Sequence, residues 1–73
     1  MAGYSVVLFH STSHALCAEK VLQEAGIPIK MIPTPRQLSS DCGMALRFER
    51  ADEEQVVRAL VEHKVPTNGI HAI

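Results

Sequence analysis

Four stretches of this chain alternate or run apolar in the way of β-strands, and two others place apolar residues with helical spacing. Tyr4 to His10, Tyr-Ser-Val-Val-Leu-Phe-His, is rich in β-formers and reads as a first strand. Ser11-Thr12-Ser13 follows as a cluster of helix N-cap types. A helix is predicted from about His14 to Ala25, with Ala15, Ala18, Val21, Leu22 and Ala25 on one face and Gly26 as its stop. Ile27 to Ile32 reads as a second strand. Pro28 near its start suggests an edge position, and Pro33-Thr34-Pro35 ends it. A polar loop continues to Gly43. Met44 to Glu49 then alternates cleanly, with Met44, Leu46 and Phe48 on one side. Asp52 and Gln55 resemble a capping box that opens a second helix running to about His63. In it Val56, Val57 and Leu60 face the core, and Glu54, Arg58 and Glu62 form a charged row toward water. Asn68-Gly69 is a turn signal, and Ile70 to Ile73 a short last strand.

The order β-α-β-β-α-β predicts an α+β, ferredoxin-like fold: a four-stranded antiparallel sheet with two helices on one face. Strand three would return between strands one and two. The end of strand one, the start of helix one, the long loop and the end of helix two would then share one end of the sheet. The face without helices is expected to carry Val7, Phe9 and Ile32. That would be an apolar patch suited to a homodimer or another partner.

Composition narrows the function. Seventy-three residues make one domain, residues 1–73. A chain of this size buries only about 60% of its unfolded surface, so function belongs on a loop, an edge or an interface. The net charge of −1 gives no electrostatic footprint for nucleic acid. Tyr4, Phe9 and Phe48 are too few for a base-stacking platform. No apolar run approaches the roughly 18 residues that span a bilayer. The first such run, about six residues long, is shorter than a signal-peptide core. A reducing cytoplasm with free thiols is the expected setting.

Cys42 is the leading candidate for chemistry. It lies in the polar loop Arg36-Gln37-Leu38-Ser39-Ser40-Asp41-Cys42-Gly43, which the topology brings toward the first helix's N-terminus. A cysteine reacts as its thiolate. A helix N-terminus favours that form, Arg36 adds positive charge, and Ser39 and Ser40 are hydrogen-bond donors. Asp41 opposes it. The bland alternative is a buried, inert thiol. Cys17 reads as a small core filler, with a resolving thiol as its alternative. His14 is the nearest base for a nucleophilic reading of Cys42. His10, His14 and Cys42 raise a metal reading, but no Cys-x-x-Cys or His-Glu-x-x-His spacing is present. No metal and no cofactor is expected.

The residues also carry a family resemblance. Ser11 to Lys20, Ala25-Gly26-Ile27-Pro28, Ile32 to Gly43, Met44 to Phe48 and Gly69 to Ile73 resemble the small bacterial domains described as selenium/sulfur carrier protein-like. The most specific part is Pro-Arg-x-Leu-Ser-x-x-Cys-Gly, ending at Gly43. The resemblance implies that Cys42 holds sulfur or selenium as a persulfide or selenosulfide, supported by Arg36, Ser39 and Ser40. It implies donor and acceptor proteins as partners, with catalysis left to them. Sulfur carriers of the Cys-Pro-x-Pro type are a different case, because glycine follows Cys42 here. The competing expectation is a non-catalytic interaction module, or a small metal-binding regulatory domain, with a structural Cys42.

Overall fold

The computed structural model describes residues 3–38 and 43–73 of the 73-residue chain. Its elements are β1 (Tyr4–Leu8), α1 (Thr12–Glu24), β2 (Ile29–Pro33), β3 (Met44–Glu49), a 3-10 turn (Arg50–Asp52), α2 (Glu53–Glu62) and β4 (Ile70–Ala72). The strands form one four-stranded sheet in the order β2-β3-β1-β4. Every pairing is antiparallel, so β3 does return between β1 and β2. β2 is an edge strand, as Pro28 suggested.

β1 lies inside the sheet and is buried on both sides. From Ser5 through Phe9 no residue is more than 1% exposed. Side chains alternate across a strand, and the core divides accordingly. Val7 and Phe9 join Leu46 and Phe48 of β3, Ala15, Ala18, Val21 and Leu22 of α1, and Val56 and Leu60 of α2 in one cluster. Val6, Leu8 and Ala45 form a second cluster, against which Ile32 and Leu38 pack. The expected apolar patch is therefore corrected. Val7 and Phe9 belong with the helices, and only Ile32 lies on the other side. A run that is apolar throughout gives no alternation from which to read its faces, and that is the physical reason for the error. β3, which does alternate, places Met44, Leu46 and Phe48 together as expected.

Capping chemistry sets the helix ends. Ser11 is extended and its hydroxyl oxygen accepts from the His14 amide at 3.3 Å. α1 thus starts two residues before the expected His14. At its other end Gly26 takes φ +78°. Its amide donates to the Gln23 carbonyl, and the Ile27 amide donates to the Leu22 carbonyl, both at 3.0 Å. This is a Schellman arrangement, with Ile27 and Leu22 meeting in the core. Ala25, expected on the buried face, is the C-cap and exposed. α2 ends the same way. The Val65 amide reaches the Leu60 carbonyl at 2.9 Å, and Lys64 takes the left-handed position at φ 55°.

α2 departs from expectation at its start. Asp52 makes no side-chain cap bond. It closes a 3-10 turn rather than standing extended, and the extended conformation is what a capping box requires. Val57 is also corrected: it is 39% exposed, while Val56 and Leu60 take the core side. The outward charged row is present, with Arg58 Nη2 3.5 Å from Glu54 Oε1 and both side chains exposed. Such a pair contributes little.

Among the described residues Ser5 is the one polar side chain in the buried set, and its Oγ has no hydrogen-bond partner there. A buried, unpaired hydroxyl costs about 1–3 kcal/mol. Ser5→Ala is expected to raise the unfolding free energy by about 1 kcal/mol. Urea titration checks this; a lowered midpoint would contradict it.

Candidate functional site

The register fixes which segments meet at one end of the sheet. Leu8 pairs with Ala45, Ala45 with Ile32, and Met44 with Pro33. The end of β1, the end of β2 and the start of β3 are therefore side by side. α1 begins just past β1, so its N-terminus rises from this same end. The stretch after α2 closes here too: the Asn68 amide donates to the Leu8 carbonyl at 2.6 Å, and the Leu8 amide to the Gly69 carbonyl at 2.9 Å.

The β2–β3 connection is pinned at its root. The Thr34 amide donates to the Gly43 carbonyl at 2.9 Å, continuing the β2–β3 ladder by one step. The Leu38 amide donates to the Pro35 carbonyl at 3.0 Å, closing a turn with Arg36 and Gln37 at its centre. Proline at the first position of a turn suits the chain here because its amide is not needed in the ladder. Leu38 then packs against Val6, Leu8 and Ala45. A polar loop thus has one apolar residue that returns it to the sheet.

The expected site residues divide into two groups. Ser39, Ser40 and Cys42, together with Asp41, lie outside the described residues. Arg36 is exposed in the turn, and His14 is half-buried in the first turn of α1. Both stand on segments that leave the same sheet end, and no hydrogen bond joins them among the described residues. His14 Nδ1 is buried and has no partner among the described residues. Cys17 is a correction. It is exposed on α1 as a free thiol rather than filling the core, because Ala18, Val21 and Leu22 already cover the inward arc of the helix. His63 is exposed at the end of α2. Among the described residues no three His, Cys, Asp or Glu side chains come together as a metal set.

Sequence reasoning missed Leu38. Its signal was present, as a lone leucine in an otherwise polar loop, but strand pairing was needed to show what it covers. Leu38→Ala is expected to loosen the root of this connection and speed hydrogen exchange at the Thr34 amide by about tenfold, with far smaller changes in the helices; a tenfold change corresponds to about 1.4 kcal/mol of local opening. Unchanged exchange at Thr34 in two-dimensional NMR would contradict the anchoring role.

No curated protein and no solved structure matches the chain. A sequence model of the Putative Se/S carrier protein-like family matches residues 4–72, a span that takes in β1 through β4 and the whole β2–β3 connection. The protein belongs to that family.

Proposed function

We propose that the protein is a sulfur or selenium carrier, which holds the chalcogen on Cys42 and hands it to a partner protein. The observation that carries this reading is the family match across residues 4–72, within which Pro35-Arg36-Gln37-Leu38-Ser39-Ser40-Asp41-Cys42-Gly43 falls. Two features of the fold support it. The connection bearing Cys42 is rooted firmly at Thr34, Leu38 and Gly43. It also leaves the sheet at the end where α1 begins, and the positive end of a helix dipole favours an anion. The fold is read as the ferredoxin-like split βαβ arrangement, with both helices on the Val7 side of the sheet; the strand order and the mixed cluster of helix and sheet residues support this.

In the carrier step the Cys42 thiolate attacks the outer sulfur of a donor persulfide. A new S–S bond forms, the donor's S–S bond breaks, and its electron pair leaves on the donor thiolate. The acceptor thiolate repeats the exchange on the outer sulfur of Cys42. Each step exchanges one thiolate for another, so no external oxidant or reductant enters. Arg36, Ser39, Ser40 and His14 are assigned supporting roles around the thiolate, as positive charge, hydrogen-bond donors and nearby imidazole. The protein acts as a carrier rather than a stand-alone enzyme, with donor and acceptor proteins in the cytoplasm as its partners. No helix among the described residues is long and apolar enough to cross a membrane.

Incubation with a persulfide donor is expected to add one sulfur mass to the intact protein. Cys17→Ser is expected to load as fully as the unaltered chain, and Cys42→Ser to lose more than nine-tenths of the load. Equal loading of Cys42→Ser in intact-mass spectra would overturn the assignment.

A further inference from the structure

Three cationic or titratable side chains stand in one row across the sheet. Lys30 pairs with Arg47, Arg47 with Val6, and Val6 with His71. Directly opposed residues on paired strands project to the same face, so all belong to the Val6 side, away from the helix residues clustered around Val7. Neighbouring strands are about 4.8 Å apart. Like charges set directly opposite each other, as Lys30 and Arg47 are, repel. Among the described residues no carboxylate lies within ion-pairing distance of Lys30, Arg47 or His71. Arg47 is steadied instead by the Tyr4 ring, its guanidinium carbon 4.4 Å from the ring centroid. A shallow cavity of about 270 Å³ opens here, walled by Tyr4, Pro28, Lys30, Arg47 and Glu49 among others. Glu49 is the acid in that wall, set against two cations.

This clustering runs against the chain as a whole, whose net charge is −1. The acids Glu53, Glu54 and Glu62 stand exposed on α2 instead. The row is too short for a nucleic-acid track, and Ile32 and Leu38 border it with apolar surface. A strand added to the β2 edge is disfavoured, because Pro33 in β2 and Pro28 beside it offer no amide. A second copy of this chain related by a twofold axis through the face would set the row against itself.

We propose that the Val6 face docks an acidic segment of a partner protein, with its carboxylates over Lys30, Arg47 and His71. This rests on the carrier reading in one respect: Leu38, at the root of the Cys42 connection, packs on the same face, so a donor or acceptor bound there stands beside that connection. The docking surface itself is defined by charge and register.

The test is a titration of ¹⁵N-labelled protein with hexaglutamate, at low and at moderate salt. The expected result is that the largest amide shifts fall on Val6, Lys30, Arg47 and His71, that binding weakens with salt, and that Arg47→Glu weakens it at least tenfold. Lys30→Glu serves as a second variant, and retained peak dispersion establishes that each is folded. Arg58→Glu, on α2, is expected to bind as the unaltered chain does. Shifts centred on Arg50 and Arg58, undiminished binding by both glutamate variants, or tighter binding of a single-stranded oligonucleotide would each overturn the proposal. So would a dimer in sedimentation that Arg47→Glu dissociates. Cys42→Ser is expected to bind hexaglutamate normally; equal persulfide loading of that variant, with docking intact, counts against the carrier reading alone. Loss of docking with loading intact counts against this surface alone.

Discussion

Burial of β1 on both faces is the constraint on which the rest of this small protein depends. Its five residues lie between β3 and β4, and Ser5 through Leu8 are sealed above and below. Each fully buried Val, Leu or Phe side chain contributes about 1.5–3 kcal/mol, a large share of the 5–15 kcal/mol by which proteins are normally stable. One side of the strand seats both helices through Val7. The other seats the β2–β3 connection through Val6 and Leu8. The candidate carrier segment is therefore coupled to the core. A change that loosens the Val6 cluster acts on the seat of Leu38 before it acts on the helices.

The same strand shows where a sequence can and cannot be read. Element order was legible, because each element is bounded by a strong local signal: Ser11 before α1, Gly26 after it, Pro33 after β2, and clean alternation in β3. Which way β1 faces was not legible. Val6, Val7, Leu8 and Phe9 are all apolar, and the one polar residue, Ser5, lies on the side that also carries Val7. A buried serine without a partner misleads any reading based on polarity. Asp52 misled for a related reason: the residue types of a capping box were present, but the backbone enters α2 through a 3-10 turn. Cys17 and Val57 each stand one residue outside the buried arc of their helix, a margin that helical spacing alone does not resolve.

For the site, sequence supplied the chemistry and structure supplied the setting. The motif around Cys42 was legible as residues, and the family match covers it. Pairing was needed to bring the ends of β1 and β2 and the start of β3 together, and to show Leu38 returning to the sheet. The basic row required register even more strictly. Lys30, Arg47 and His71 are widely separated along the chain, and only cross-strand partners place them side by side. A carrier needs few parts: one reactive thiol, a scaffold that presents it, and a surface that a larger partner recognises. A 73-residue chain has room for these and little for a deep catalytic cleft.

The central claim is that Cys42 is a chemically activated thiol presented by this scaffold, and its titration tests that most directly. In a Cys17→Ser background, the rate of alkylation of Cys42 is followed against pH. An apparent pKa clearly below the ordinary cysteine value of about 8.5 is the expected result. A value at or above about 8.5, with slow alkylation of the native protein throughout, would contradict it and leave Cys42 an inert structural residue.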